Sequence, residues 1–254
     1  GKGYSAVSLE MLEQIRTYLN ADLYPYAPCE GTIGGLSFQP YIAITYMGEG
    51  LLALYDFVMT MRHADLTAAL VCEALRSTDK AYDPRLIALK NHKETADTAR
   101  FLRDILSGSA IMDESRSLRV QDSMNTRIIP HVHGIAKRMA GQTYDALMEE
   151  LYAVFDNPIF LPDGTALMGS NWDATAIELY CDSLAIAVMD VAKLTEVHME
   201  RLVDPHLSSL VSMTMLTALQ TIDLSDHKAM SPVTQKIHDH ARQTVTFMEN
   251  DDLM

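Results

Sequence analysis

Two pairs of histidines are the first residues whose chemistry could matter, His131 with His133 and His238 with His240. Imidazole serves both as a metal ligand and as a general base near neutral pH. Helical neighbours that share a face stand three or four residues apart, so a spacing of two turns the rings of each pair to different sides. No histidine–carboxylate set with metal spacing accompanies them, and all four are expected to be structural, with no metal bound. Cys29, Cys72 and Cys181 lie far apart and form no CxxC or Cys/His ligand spacing. That argues against a disulfide framework or a structural zinc site and suits a reducing cytosol. Two stretches hold most of the other candidates. One is the glycine-rich run from Gly31 to Gly50, GTIGGLSFQPYIAITYMGEG; the other is Val120 to Gly134, VQDSMNTRIIPHVHG, which carries Gln121, Met124 and Arg127.

The elements that must position these residues read as helices almost throughout. Ser8 suits the N-cap of a helix over Leu9 to Asn20, in which Leu9, Leu12, Ile15, Tyr18 and Leu19 share a face. Tyr24-Pro25-Tyr26-Ala27-Pro28 cannot continue it. Further helices are expected over Gln39 to Met47, with Pro40 at the start, over Leu51 to Leu75, and over Lys90 to Leu106, closed by Gly108. Ser123 to Met139 is helical with a kink or a helix start at Pro130, and Thr143 to Asp156 follows, stopped by Asn157-Pro158. Pro162-Asp163-Gly164 marks the turn of a hairpin over Ile159 to Met168. A very long helix spans about Trp172 to Leu202, and two more cover Leu207 to Leu224 and the stretch opening at Ser231-Pro232. The expected fold is all-α, one helical domain over residues 1–254 built as a bundle of long central helices. Met213, Met215, Leu216, Leu219 and Ile222 form an apolar stripe that reads as core or subunit interface, which favours a homo-oligomer.

Composition narrows the partners. The chain has 254 residues, 48% of them hydrophobic, enough for a folded core. Twenty basic side chains face 34 acidic ones, a formal net charge of −14. That balance disfavours nucleic acid and anionic membranes and leaves a small molecule or a protein as partner. The start, GKGYSAVS, lacks a secretory apolar segment, and the apolar stretch Leu179 to Ala192 is interrupted by Asp182 and Asp190, so no membrane span is expected and the chain reads as cytoplasmic.

Gly31-Thr32-Ile33-Gly34 and Gly48-Glu49-Gly50 resemble the loop of the histidine and aromatic amino acid ammonia-lyase family, which reads Gly-Ser-Val-Gly, then Ala-Ser-Gly, then a helix leading to Gly-Glu-Gly. Placing Ala-Ser-Gly between Gly34 and Gly35 restores the family's spacing. Further segments carry the resemblance in the family's order. Lys2-Gly3-Tyr4-Ser5 is similar to its Gly-Tyr-Ser-Gly entry, and Ala64-Asp65-Leu66 with Cys72-Glu73-Ala74-Leu75 to its Ala-Asp-Leu … Leu-Glu-Ala-Leu helix. Val120-Gln121-Asp122-Ser123-Met124-Asn125-Thr126-Arg127, continued by Ile129-Pro130-His131-Val132-His133-Gly134, resembles Val-Gln-Asp-Pro-Tyr-Ser-Leu-Arg … Pro-Gln-Val-His-Gly. Asp156-Asn157-Pro158, Gly169-Ser170-Asn171-Trp172 and Arg201-Leu202-Val203-Asp204-Pro205 match Asp-Asn-Pro, Gly-Gly-Asn-Phe and the Arg-Leu-Val-Asp-Pro run.

The resemblance implies an ammonia-lyase-like helical fold, a homotetramer with shared active sites, and an amino acid as small-molecule substrate, L-histidine or a related aromatic one. It implies a methylidene-imidazolone (MIO) prosthetic group between Gly34 and Gly35, formed from Ala-Ser-Gly, which activates the amino group so that ammonia leaves and an α,β-unsaturated acid remains. By the same resemblance Arg127 binds the substrate carboxylate, which the fork of a guanidinium suits; its other reading is a surface salt bridge. Gln121 lines the pocket or braces a loop, and Trp172 lines the pocket or belongs to the core. Met124 departs from the family, which usually has a tyrosine there, and a methionine cannot transfer a proton. Further family elements are missing. An Asn-Gly-Thr motif is expected between Gly50 and Leu51, a Gln-Glu-Asp-His segment between Ser209 and Leu210, and an N-terminal part before Gly1. Two readings fit these jumps: residues of a larger enzyme are left out of the chain, or the chain is a shortened, non-catalytic scaffold. An aminomutase, which shares the ring and returns ammonia to the β-carbon, is a third reading of the function.

Overall fold

A computed structural model describes residues 4, 7–23, 39–118, 120–204, 207, 232 and 236. Among these residues eight α-helices follow in chain order: α1 (Leu9–Asn20), α2 (Gln39–Ala74), α3 (Pro84–Ala88), α4 (Lys93–Leu106), α5 (Ala110–Leu118), α6 (Met124–Arg127), α7 (Ile129–Leu151) and α8 (Thr175–Val203). A 3-10 turn occupies Lys80–Tyr82, and strands β1 (Ile159–Phe160) and β2 (Ala166–Leu167) form the expected hairpin. The architecture is all-α. No helix among the described residues is long and apolar enough to cross a membrane. The chain divides into two compact units, Gly1–Leu54 with Thr143–Cys181 and Tyr55–Gln142 with Asp182–Met254.

In the first unit, α1 begins where its cap predicts: the Ser8 hydroxyl accepts the Met11 N–H at 3.3 Å. Its apolar face stays exposed, with Leu9, Leu12, Ile15 and Leu19 all open to solvent. The hairpin pairs Ile159 with Leu167 and Phe160 with Ala166 in antiparallel register. Its turn closes through Gly164 at φ +86°, a left-handed conformation that suits glycine, while Asp163 Oδ1 accepts the Thr165 N–H at 2.9 Å. Asp173 Oδ1 accepts the Thr175 N–H at 3.1 Å and opens α8, three residues later than the periodicity places it.

Helix α4 begins at Lys93, three residues after the expected Lys90, and larger differences lie elsewhere. The two helices predicted over Gln39 to Met47 and Leu51 to Leu75 are one, α2, which runs straight through Gly48-Glu49-Gly50 and across the Gly50–Leu51 junction. Glycine there gives up roughly 1 kcal/mol of propensity but keeps its N–H and carbonyl, so the ladder continues. A Cβ on Gly50 would lie 3.4 Å from a Leu147 methyl, so α7 packs on this stretch. Likewise α7 continues through Gly141 to Leu151 instead of restarting at Thr143, and ends short of Asp156. Pro130 sits in its first turn, the helix start expected of it. The 3-10 turn, α3 and α5 are too short to show a period and were not anticipated. The Gly34–Gly35 junction, the Met213–Ile222 stripe, His238 and His240 lie outside the described residues, as does nearly all of the chain after Asp204.

The second unit holds the clearest core. Cys72 of α2, Tyr82 of the 3-10 turn, Leu102 of α4, Met112 of α5, Ile129 of α7 and Leu194 of α8 belong to one buried cluster. On α4 the buried residues Thr95, Thr98, Ala99, Leu102, Ile105 and Leu106 recur at helical spacing, and Gly108 at φ +79° ends the segment. Helices α4 and α7 touch at the backbone. A Cβ on Gly134 would come within 2.6 Å of the Thr95 Cα and N and 2.9 Å of the Glu94 carbonyl carbon. Gly134→Ala therefore forces two helices apart and should cost about 2 kcal/mol or more, lowering the thermal midpoint of the full protein by roughly 5 °C. Circular dichroism melting checks this, and an unchanged midpoint would contradict the close approach.

Candidate active site around Arg127

Arg127 is carried by a helix of one turn. Ahead of α6, Asp122 is buried and its Oδ2 accepts both the Thr78 N–H (2.6 Å) and the Thr78 hydroxyl (2.8 Å). That anchors the incoming chain. The Asn125 carbonyl then accepts from His198 Nε2 at 3.1 Å, and the Thr126 carbonyl accepts from the Tyr82 hydroxyl at 2.6 Å.

Beyond these anchors Arg127 borders an open cleft of about 500 Å³, lined also by Ala81, Leu86, Lys90, Met124, Ile128 and His131. Three of these side chains are basic types and none is acidic. The Arg127 Nε is buried and meets no acceptor among the described residues. Neither Arg127 nor Lys90 forms an ion pair among those residues. Burial, the Lys90 cation and the neighbouring His92 push the His131 imidazole below its ordinary value, so positive potential reaches across the cleft. A half-buried guanidinium with an unfilled donor, in a cleft without carboxylates, is suited to binding an anion.

Of the residues singled out by sequence, the structure brings Met124 and Arg127 into this one cleft. Met124 is 62% exposed at its rim. Gln121 is exposed, three residues before Met124, and is not among the lining residues. Trp172 belongs to the first unit, in the turn before α8, and at 45% exposure it is not core there. Gly34 and Gly35 are outside the described residues. Sequence reasoning missed Lys90 and treated His131 as structural. A signal existed for His131, four residues after Arg127 and hence on its side of a helix. None existed for Lys90, which arrives from a distant segment.

His133 is turned elsewhere, as a spacing of two requires. It is buried and donates from Nδ1 to Asp65 Oδ1 at 2.8 Å. Lys137 Nζ reaches Asp65 Oδ2 at 2.5 Å and the Thr98 hydroxyl at 2.9 Å, so one carboxylate ties α2, α4 and α7 together. Among the described residues no three His, Cys, Asp or Glu side chains converge to hold a metal.

Burial holds the His198 imidazole below the ordinary 6.5, its bond to Asn125 opposes that, and the charge of His133 adds to it. Unfolded chains take up this proton near 6.5, whereas the folded chain resists until lower pH. The stability it confers is complete above about 6.5 and is lost as pH falls through that value, levelling off below the folded pKa. The thermal midpoint of His198→Gln should therefore decline less between about pH 7 and pH 5 than that of the wild type, and parallel profiles would refute this.

A family model described as aromatic amino acid lyase matches residues 45–211, a stretch that includes Gly48-Glu49-Gly50, Arg127 and Trp172. The chain belongs to the aromatic amino acid lyase family. Histidine ammonia-lyase from Geobacillus kaustophilus is 30% identical over 254 residues, an alignment covering 82% of this chain and 50% of the relative. The chain thus spans about half the length of the curated relatives it matches. Among solved structures, histidine ammonia-lyase from Trypanosoma cruzi superposes with a TM-score of 0.70 at 23% identity, covering 98% of this chain and 56% of the other. Ergothionase from Treponema denticola gives 0.73 at 17% identity, covering 95% and 56%. These likenesses establish the helical lyase fold for this family member.

Proposed function

We propose that the protein to which this chain belongs is an ammonia-lyase that eliminates ammonia, without oxidation, from L-histidine or a related aromatic amino acid. One observation carries the reading. At the position of the family's carboxylate-binding arginine, Arg127 presents a buried Nε that meets no acceptor among the described residues to a cleft whose described lining holds basic groups and no acid. A substrate carboxylate would supply the missing acceptor, and a bidentate pair would also fix its orientation. Met124 presents an apolar, aprotic surface where the family has a phenol, and neither Gln121 nor Trp172 lines this cleft. The active assembly is a homotetramer.

The three residues that would close into the MIO ring do not fit what this chain carries. Gly34 is followed directly by Gly35, and no Ala-Ser-Gly triad occurs anywhere in the sequence. No step is therefore derived through the ring. In the lyase reading those residues stand at that junction in the parent protein.

A second reading, a non-catalytic scaffold of the same family, is favoured by the uninterrupted course of α2 through Gly50 and Leu51, where the family's Asn-Gly-Thr segment is expected. Two measurements on the full protein separate them. Intact mass shows whether the polypeptide is longer and has lost water, and incubation with histidine, phenylalanine and tyrosine tests for the ultraviolet absorbance of a conjugated acid. Absorbance growth with one of these substrates supports the lyase. A dehydration-free mass and no absorbance with any of them would leave the scaffold.

A further inference from the structure

A helix of four residues has too few internal bonds to hold a side chain in place. Helix α6 keeps only local links, such as Arg127 N–H to Ser123 O at 3.3 Å and Ile128 N–H to Met124 O at 2.9 Å. Its next carbonyl has a specific problem. In an unbroken helix the Thr126 oxygen would accept the N–H of the residue four places on, but that residue is Pro130, which has none. The Tyr82 hydroxyl supplies the missing donor, at 2.6 Å. One residue earlier, the Asn125 oxygen accepts from His198 Nε2. Both donors are buried, Tyr82 to 1% exposure and His198 to 5%. They come from the 3-10 turn and from α8, so neither is a product of local chain geometry.

The donors are themselves kept in the right protonation state. Tyr82 donates to Thr126, so the Cys72 thiol, 3.4 Å from the Tyr82 oxygen, is the donor of that pair. Burial raises the Cys72 thiol to about 12, and burial likewise keeps the Tyr82 phenol protonated. His198 donates from Nε2, which leaves its lone pair on Nδ1.

We infer that Tyr82 and His198 are positioning residues, pinning the two successive carbonyls just before Arg127 and so aiming its guanidinium into the cleft. This rests on the carboxylate-binding reading of Arg127. Neither side chain lines that cleft, so each acts through the main chain and not on the ligand.

The test uses full-length protein and ligand pairs that differ only in the carboxylate: L-histidine with histamine, and L-phenylalanine with 2-phenylethylamine, measured by calorimetry. Tyr82→Phe, which keeps the ring, and His198→Leu should each weaken the carboxylate-bearing member about tenfold and change the amine less than about twofold. His198→Gln keeps an N–H donor and should recover most of the loss. Equal weakening of both members, or of neither, would overturn the inference. Arg127→Met serves as the reference. If it discriminates within a pair while the Tyr82 and His198 variants do not, the positioning role fails and the carboxylate reading stands. If Arg127→Met does not discriminate, or the wild type binds no member of either pair, both fall together.

Discussion

Arg127→Met should lower kcat/KM of the full protein by about 100-fold or more while leaving its thermal midpoint unchanged or slightly raised. Removing one partner of a desolvated, hydrogen-bonded charge pair costs on the order of 2–5 kcal/mol of binding, and each 1.4 kcal/mol is about tenfold. The effect on stability has the opposite sign. Among the described residues the Arg127 Nε is buried without an acceptor, an arrangement that costs free energy, and a methionine of similar length removes that cost. Arg127→Lys should restore only part of the activity, since an ammonium is a point charge and cannot match two oxygens at once. Steady-state kinetics with a parallel melting curve decide the matter. A variant that loses stability and activity together would mark Arg127 as a structural salt-bridge residue instead.

Asp65→Ala is expected to give a large loss of stability from a single change. Asp65 and His133 have side chains 6% and 3% exposed, and Lys137 is only partly open at 31%. Deleting the carboxylate leaves a buried imidazole N–H without its acceptor and leaves the ammonium only the Thr98 hydroxyl. Breaking a fully buried pair costs about 3–5 kcal/mol; with Lys137 able to reach water the expected loss is nearer 2–3 kcal/mol. A thermal midpoint roughly 5–10 °C lower follows. Lys137→Met should cost less, because His133 keeps its partner and the long side chain already lies partly in solvent. Denaturant unfolding of both variants checks the order, and a Lys137→Met loss larger than that of Asp65→Ala would contradict it.

How much of this was legible in the residues depends on the range over which each cause acts. Helix α1 could be bounded because its causes are local, with Ser8 capping one end and a proline-rich break beyond the other. The hairpin was legible for the same reason, since Pro162-Asp163-Gly164 names its own turn. Helix α2 was not legible as one element. Gly48 and Gly50 weaken a helix but do not end it, and apolar periodicity on either side could not show that the two halves join. The length of α7 was misjudged at Gly141 in the same way. At the candidate site, Arg127 stood out because it lies in a run of recognisable residue types, and the local pattern also kept His131 and His133 apart. Lys90, Tyr82 and Asp65 owe their places to partners from remote segments, which no window of sequence displays.

Pro130 ties together substitutions at positions that never meet in the primary structure. Any other residue there brings an amide hydrogen that would compete for the Thr126 oxygen, making the Tyr82 phenol redundant. While the pyrrolidine ring remains, Tyr82 cannot drift to phenylalanine without stranding that carbonyl. The two positions are therefore expected to change in concert, the ring being lost before, or together with, the hydroxyl.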